Sequence, residues 1–505
     1  MEGSGSGEVE ADGQLAFGSN RGRWVIAATV LGSGMASLDA TVVGIALPTI
    51  GRDFHSGVGT LQWVVSGYSL TLAAFLLLGG SLGDRLGRKR VFSVGVIWFA
   101  VASMCCGFAP NAGVLIAARV LQGIGGALLA PASLAILQAS FRPDDRSRAI
   151  GAWSGLGGVA TAAGPLLGGY LIIAGSWRWV FFINLPVAAA VLVVAARHVP
   201  ESRDPSTAGH VDSPGAGLAV LFLAGLTYGL IEAPSHGWTS PAVLASLVVA
   251  GLTGPVFLVV EHASANPMLP LGVFRTRQFS GANAVTFIVY GALGGALFLL
   301  PVELQLVVHY SPLGSGLALL PVTVIMLALS ARSGQLAARI GPRLQMTAGP
   351  VVVGAGLLLL TRATHNGNYA AWVLPAVTLF GLGLAITVAP LTATAMGAAP
   401  AEHAGVASAV NNVVARAAGL LAVAILPLLA GITGAAALEP HRLATGFREA
   451  MIIAGLTCAA GGLLAAATIR NPPGAPGLGH THLRSYHCAL DGPPLQPAEA
   501  DADGR

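Results

Sequence analysis

Two residues of opposite charge lie inside apolar stretches of the sequence. Asp39 belongs to the stretch LDATVVGIALPTI, and Arg119 opens the stretch RVLQGIGGALLAP. If both stretches are membrane-spanning helices, the helical rise places Asp39 about 14 Å and Arg119 about 11 Å below the same boundary. Because a lone charge at depth costs about 3 kcal/mol or more, two level charges are expected to share one polar cavity. We predict proton exchange at Asp39 with Arg119 tuning the carboxyl group; a purely structural ion pair is the alternative.

A charged loop, GGSLGDRLGRKRVF, occupies residues 79–92 between two apolar stretches. Its four cations directly follow an apolar stretch, which is typical of a cytoplasmic loop. The acid Asp84 adds nothing to that charge bias, so it is expected to hold the cytoplasmic side closed by facing the positive helix start near Ala404. The predicted gate-loop residues are Gly83, Asp84, Arg85, Gly87 and Arg88.

Residues 151–171, GAWSGLGGVATAAGPLLGGYL, contain seven glycines and one proline. Such a composition lowers the intrinsic stability of a helix but permits close helix contact and bending. We therefore predict a close-packed, bendable gate, with simple tight packing as the alternative. Its predicted residues are Gly164, Pro165, Gly168 and Gly169.

Residues 405–425, GVASAVNNVVARAAGLLAVAI, place polar side chains about 9 to 17 Å into the membrane if they form a helix. A buried arginine without an acid on a neighbouring turn requires either a partner elsewhere or a substrate. The predicted residues of the substrate cavity are Gln122, Asn411, Asn412 and Arg416. Glu303, at the end of another apolar stretch, is expected at the membrane boundary, where a solvated and a functional position are both possible.

The elements that position these residues are membrane-spanning helices. The chain has 505 residues, of which 54% are hydrophobic and only 10% charged, and its mean hydropathy is +0.73. Apolar runs of the roughly 20 residues that cross a bilayer recur fourteen times, which predicts an all-α integral membrane protein. The predicted domains are a disordered lead (1–20), a six-helix half (21–200), a linker with two inserted spans (201–278), a second six-helix half (279–470) and a disordered cytoplasmic tail (471–505).

An internal repeat supports two related halves. At an offset of 254 residues, Gly80, Arg85 and Gly87 match residues of the same type in the stretch 333–343, and residues 151–167 match a second stretch at the same offset. Most of the 26 arginines and lysines fall in loops on the side of the N-terminus. This bias predicts that both termini are cytoplasmic.

Several functions are excluded or unsupported. The chain has no phosphate-binding loop, and its one lysine, Lys89, follows Arg88, so neither ATP-driven pumping nor a Schiff-base lysine inside the membrane is expected. The basic charge reflects cytoplasmic loops, so no nucleic-acid partner is predicted. No cofactor is predicted either. The tail residues His480, His482, His487 and Cys488 match no closed metal site, so no metal is predicted.

With these residues laid out, the chain resembles the major facilitator superfamily and its fourteen-span drug:proton antiporter subfamily. The resemblance covers residues 24–468. Four motifs carry it, in the order that the family has: LDATVVGIALP, GGSLGDRLGRKRVF, RVLQGIGGALLAP and GLGGVATAAGPLLGG. One departure is Gly44, where the family commonly has asparagine.

The resemblance implies two six-helix halves that alternate access around a central cavity, with proton influx driving export. The expected protein is a monomer in the bacterial inner membrane whose partners are protons, lipids and lipophilic substrates that are neutral or monocationic. The expected function is export of drugs or antibiotics. Export of one endogenous metabolite and proton-coupled uptake are the alternatives.

Overall fold

The structure, a computed structural model, describes residues 14–203, 212–264, 267–363, 368–398 and 404–471. Within these ranges the chain is helical. Its α-helices are α1 (Asn20–Asp53), α2 (Val58–Leu86), α3 (Arg88–Gly107), α4 (Ala112–Ser140), α5 (Pro143–Ala174), α6 (Trp179–Phe182), α7 (Asn184–His198), α8 (Ser213–His236), α9 (Pro241–Ala263), α10 (Arg277–Leu306), α11 (Pro312–Ala318), α12 (Leu320–Ile340), α13 (Arg343–Leu360), α14 (Leu374–Gly397), α15 (Ala404–Leu429) and α16 (Pro440–Thr468).

The end of the predicted disordered lead is ordered where the structure describes it. Leu15 is buried, its N–H donates to the carbonyl oxygen of Ser140 at 2.8 Å, and its own carbonyl oxygen accepts from the N–H of Arg142. These backbone bonds attach the segment before α1 to the loop between α4 and α5. Residues 1–13 of the predicted lead and residues 472–505 of the predicted tail, with its histidines, lie outside the described residues.

Fourteen helical segments of the described chain are long and apolar enough to cross a membrane, the number that the sequence predicts. Three of them are interrupted. Helices α6 and α7 meet at Ile183, α11 and α12 meet at Leu319, and a π-helical turn, Tyr369–Val373, precedes α14. Because proline lacks an N–H and its ring crowds the preceding turn, each interruption has a local cause. The prolines that follow the three interruptions are Pro186, Pro321 and Pro375.

Consecutive spans run in opposite directions, so α1 begins and α16 ends on the same face, which we call the terminal face. Bonds between the first residues of helices and neighbouring loop residues lie at this face. The N–H of Arg88 donates to the carbonyl oxygen of Ser202, and Gln278 Nε2 donates to the carbonyl oxygen of Arg470, both at 3.0 Å. The sequence predicts that the terminal face is cytoplasmic. The other end of the helices is the opposite face.

The two halves, α1–α7 and α10–α16, meet toward the opposite face. Gln62 Nε2 on α2 donates to the carbonyl oxygen of Val423 on α15 at 2.8 Å, and Gln305 Nε2 on α10 donates to that of Ile45 on α1 at 3.0 Å. One hydrophobic cluster joins buried residues of both halves there. A second cluster, on the terminal side of the first half, has buried residues of that half alone. The structure is therefore closed toward the opposite face.

The two inserted spans, α8 and α9, differ in their contacts. Trp63 Nε1 on α2 donates to Glu232 Oε1 on α8 at 2.6 Å. Leu223 of α8 shares a small hydrophobic cluster with Leu70 of α2 and Leu420 of α15. Helix α9 buries few of its residues. Helix α9 is therefore peripheral, whereas α8 lies against both halves.

Candidate functional site

Asp39 and Arg119 form a salt bridge inside the first half, between α1 and α4. Arg119 Nη1 donates to Asp39 Oδ2, and both side chains are buried, Arg119 at 1% and Asp39 at 0% exposure. The two charges that the sequence places at one depth are thus in direct contact. Because each neutralises the other, neither is an isolated charge in the membrane.

Two amide side chains complete the surroundings of the carboxylate. Asp39 Oδ1 accepts from Gln122 Nε2 at 2.9 Å and from Asn184 Nδ2 at 3.1 Å. All the hydrogen bonds of this carboxylate are acceptor bonds. In this state, closed toward the opposite face, both of its oxygens are therefore engaged by side-chain donors.

Arg119 is held as firmly as its partner. Its Nε donates to the carbonyl oxygen of Val64 at 3.0 Å, and its guanidinium lies 4.3 Å from the centre of the Tyr68 ring. The second contact is a cation–π interaction, favourable by about 2 kcal/mol when it is desolvated. The charge cluster of Asp39, Arg119, Gln122, Asn184 and Tyr68 thus links α1, α2, α4 and α7.

Two members of this cluster, Asn184 and Tyr68, are missing from the sequence-based prediction. A signal for Asn184 exists, because it is the amide within the apolar stretch VFFINLPV and a polar side chain inside a span usually has a partner. Asn184 Nδ2 also donates to Ser103 Oγ on α3 at 2.9 Å. No comparable signal marks Tyr68, since one aromatic residue in an apolar stretch is ordinary.

Gln122 and Asn411 do not line a cavity as predicted. Gln122 is fully buried in the charge cluster, where its Oε1 accepts from Arg119 Nη1 at 2.8 Å. Asn411 Nδ2 donates to Thr286 Oγ1 at 2.8 Å and to Asn283 Oδ1 at 3.1 Å, both on α10. Each amide is occupied by a neighbouring helix because a buried amide must find partners. Both residues therefore hold helices together within their own half.

Asn412 and Arg416 fit the predicted cavity better. They are four residues apart on α15 and thus share one helix face. Asn412 is exposed, and Arg416 is partly exposed although it lies deep inside the molecule. Tyr68 of the first half and Tyr290 of the second are the titratable side chains that act electrostatically on it. These residues form the candidate substrate site.

Asp84, the acid of the gate loop, pairs with Arg88 of the same loop. Asp84 Oδ1 accepts from Arg88 Nε at 2.8 Å and from its Nη2 at 2.7 Å. Gly87 has φ +112°, a conformation that side chains resist, and a Cβ atom there would stand 2.7 Å from the Glu201 carboxylate. The expected partner of Asp84 is the positive start of α15 near Ala404, and residues 399–403 before that start lie outside the described residues. The contact across the two halves stays a prediction.

Three glycines of α5 make the close contacts that their composition predicts. A Cβ atom at Gly164 would overlap Thr41 of α1, and one at Gly168 would stand 3.0 Å from Val42 of the same helix. A Cβ atom at Gly169 would stand only 2.5 Å from the Cα atom of Leu313 on α11. The first two contacts lie within the first half. The third joins the halves.

Pro165 takes part in the same junction. Its carbonyl oxygen lies against Gly316 of α11, so closely that a Cβ atom on Gly316 would overlap it. Helices α5 and α11 therefore meet through a glycine on each side. Such contacts let backbones approach within van der Waals distance, as small residues do at membrane helix interfaces.

Glu303 is not solvated at the membrane boundary, so that alternative is wrong. Its side chain is 0% exposed, and neither carboxylate oxygen has a hydrogen-bond partner among the described residues. The helix continues to Leu306, and the chain then folds back so that the N–H of Tyr310 donates to the carbonyl oxygen of Leu304 at 2.8 Å. An ionised carboxylate without donors is strongly disfavoured in such a place, so Glu303 is protonated.

We expect Glu303→Gln to keep the melting temperature of the wild-type protein, because a neutral amide replaces a neutral carboxyl group of the same shape. The measurement is thermal unfolding of the purified protein in detergent. Asp39→Asn is the matched comparison, since it leaves Arg119 without its counter-ion, and losing one partner of a buried pair costs about 3–5 kcal/mol. Equal destabilisation by the two substitutions would contradict a neutral Glu303.

Comparison with known proteins identifies the family. The Major Facilitator Superfamily model matches residues 29–423. The multidrug resistance protein Stp of Mycobacterium tuberculosis is 37% identical over 82% of this chain and 77% of its own length. The tetracenomycin C resistance and export protein of Streptomyces glaucescens is 36% identical over 81% and 76%, and the puromycin resistance protein pur8 of Streptomyces alboniger is 35% identical over 83% and 84%.

Solved transporter structures share the fold. A POT family transporter in complex with 5-aminolevulinic acid matches 90% of this chain and 97% of its own with a TM-score of 0.68 and 12% identity. A bacterial homolog of the human lysosomal transporter Spinster, in an inward-facing and unoccupied conformation, matches 90% and 99% with a TM-score of 0.63 and 16% identity. With fourteen apolar spans and bacterial efflux relatives, this is a multi-pass protein of the bacterial inner membrane. The chain belongs to the Major Facilitator Superfamily.

Proposed function

We propose that the protein exports lipophilic small molecules, antibiotics among them, in exchange for protons. The observation that carries this proposal is the charge cluster, in which a titratable acid, Asp39, lies in the membrane against Arg119. Intramembrane acids of this kind mark proton pathways in transporters. The efflux function of the relatives supports export as the direction of substrate transport.

Proton binding at Asp39 would change the contacts of four helices at once. The protonated carboxyl group would keep fewer acceptor positions for the donors of Arg119, Gln122 and Asn184, and Arg119 would lose its counter-ion. Since these donors stand on α4 and α7, loss of their bonds would loosen α1 from both. A proton would in this way alter the relative stability of the two access states, which is the requirement for coupling.

Each access state would have its own gate, one at each face of the molecule. In the state described, the glycine contact between α5 and α11 closes the opposite face, which we take to be the outer one. Gly83, Asp84, Arg85, Gly87 and Arg88 would close the cytoplasmic face in the alternate state. Asp84 would then exchange its bond with Arg88 for the start of α15, where the helix dipole favours an acid by about 0.3–1 kcal/mol.

Transport by reconstituted protein tests the proposal. Proteoliposomes with an acidic interior are given tetracenomycin C or puromycin, the compounds named for two relatives. We expect the protein to concentrate at least one compound inside as protons leave, and a protonophore to abolish the accumulation. Uptake equal to that of protein-free liposomes for both compounds would contradict proton-coupled export. Uptake that the protonophore leaves unchanged would contradict it as well.

A further inference from the structure

Arg416 is a cation in the candidate substrate site that no acid of the described chain neutralises. We infer that the preferred substrates are lipophilic organic anions, molecules with an apolar aromatic body and one acidic group that Arg416 and Asn412 bind. This inference rests on the proposed export function and names the substrate class for it. It replaces the neutral or monocationic substrates that the sequence suggests.

The first step is the state of the Arg416 side chain. Its Nε atom is covered from solvent and has no hydrogen-bond partner among the described residues. No salt bridge to Arg416 exists in the described chain, whereas Arg119 has an acid, an amide and a carbonyl oxygen as partners. Arginine does not lose its proton in proteins, so the charge of Arg416 persists. A persistent cation whose Nε atom is covered and which has no acid partner in the described chain can take an acceptor from a substrate through its exposed part.

The second step is that no acid of the described chain is free to serve as the acceptor for Arg416. Asp39 is fully engaged by Arg119, Gln122 and Asn184. Glu303 is neutral, and its carboxylate oxygens have no hydrogen-bond partner within the described chain. The electrostatic neighbours of Arg416 are two tyrosines. The site is therefore positive, which repels a cationic substrate and attracts an anionic one.

The third step is the location of Arg416 between the halves. Val413 on the preceding turn packs against the hydrophobic cluster of the first half. Ala417 and Leu420, on the following turn, pack against Leu70 and Ala73 of α2. These residues recur at helical spacing with Arg416, so its face of α15 is the one that meets the first half. Substrate sites of alternating-access transporters lie between the halves.

The fourth step is the chemistry that surrounds the cation. Tyr290 of the second half, which is partly exposed and acts electrostatically on Arg416, supplies an aromatic side chain that favours contact with the flat body of an aromatic substrate. Asn412, on the same helix face as Arg416, adds an amide donor. A guanidinium and an amide side by side match the two oxygens of a carboxylate or of an acidic phenol with a neighbouring carbonyl group.

A series of three pyrene probes tests the substrate class. 1-Pyrenebutyrate, 1-pyrenebutanol and 4-(1-pyrenyl)butylamine share the aromatic body and differ in charge. Each is titrated onto the purified full-length protein, and the dissociation constant is taken from the rise in melting temperature. We expect the wild-type protein to bind the butyrate at least about tenfold more tightly than the butanol, the gain of a charge-assisted hydrogen bond. The amine should bind most weakly.

Three substitutions test whether Arg416 causes the preference for the anionic probe. Arg416→Gln should bring the ratio of butanol to butyrate dissociation constants to about one, and Arg416→Lys should keep most of the ratio. Arg448→Gln, which removes the same charge from an exposed position of α16, should leave the ratio as in the wild type. If Arg416→Gln does not fold, the ratio of butanol to butyrate dissociation constants in the wild type and in Arg416→Lys tests the inference instead. Equal wild-type affinities, tightest binding of the amine, or an unchanged ratio in Arg416→Gln overturns the inference.

Transport of the same probes separates this inference from the proposed function. Proteoliposomes that concentrate butanol or amine by a pH gradient beyond the level in protein-free liposomes, but not butyrate, would support export and overturn the anion preference. A preference for butyrate in binding, without gradient-driven accumulation of any probe, would support the site and overturn proton-coupled export. Concentration of butyrate above the other two, lost in Arg416→Gln, supports both.

Discussion

Asp39→Asn is expected to abolish accumulation of substrate against a gradient. The asparagine cannot bind or release a proton in the physiological range, so the cycle loses its coupled ion. Substrate binding should survive, because the candidate substrate site around Arg416 belongs mainly to the second half. The measurement is proton release on substrate addition to purified protein, together with uptake into proteoliposomes that have an acidic interior.

Two controls make the loss specific to coupling. Exchange of labelled for unlabelled substrate at equal concentrations needs no proton, so it should persist in Asp39→Asn and report a folded carrier. Glu303→Gln should still release protons and accumulate substrate. If Asp39→Asn releases protons and concentrates substrate like the wild type, the coupling acid lies elsewhere, and Glu303 is the next candidate.

The charge of the substrate decides how much the membrane potential contributes to export. Export of a monoanion in exchange for one proton moves two charges in the favourable direction. Each is worth about 2.3 kcal/mol per 100 mV of membrane potential. Exchange of a monocation for one proton moves no net charge and draws on the pH gradient alone. A membrane potential without a pH gradient should therefore drive export of an anion but not of a monocation.

The sequence predicted the charges and the spans but not the partners of the charges. Helical rise alone placed Asp39 and Arg119 at one depth, and composition alone gave fourteen spans. The donors Gln122 and Asn184 could not be assigned, because hydrogen-bond choice depends on how each helix is rotated against its neighbours. Periodicity does not fix that rotation when a helix is apolar on every side.

Glu303 illustrates a second limit. Its distance along the chain put it at the edge of a span, where a side chain usually reaches water. The structure buries it completely, next to Leu304, whose carbonyl oxygen accepts from the N–H of Tyr310 where the segment after α10 folds back. Loop conformation of this kind follows from tertiary contacts that an apolar run does not encode.

The glycines of α5 predicted close packing, and the structure shows which neighbouring residue each glycine contacts.

We expect Gly169→Ala to shift the protein away from the state closed at the opposite face. The added Cβ atom would stand 2.5 Å from the Cα atom and 2.8 Å from the backbone nitrogen of Leu313, distances that only a backbone shift can relieve. Overpacking of this kind costs about 1–3 kcal/mol, or about five- to 150-fold in the population of the closed state.

Spin-label distances across the opposite face measure that shift. Labels at Arg52→Cys, at the end of α1, and Arg442→Cys, at the start of α16, report the separation of the halves once the native cysteines are replaced. Gly155→Ala is the matched control, because it adds the same methyl group to the same helix where nothing lies within 4 Å. Gly169→Ala should lengthen the distance and slow transport, and Gly155→Ala should do neither.

Gly168→Ala separates gating from stability. Its Cβ atom would press on Val42 of α1, inside the first half, so it should lower the melting temperature without lengthening the distance across the opposite face. The same methyl group thus has different effects at adjacent positions of one helix, according to whether the neighbour belongs to the same half or to the other. Gly169→Ala with a wild-type distance distribution and wild-type transport would show that the contact with α11 is packing alone.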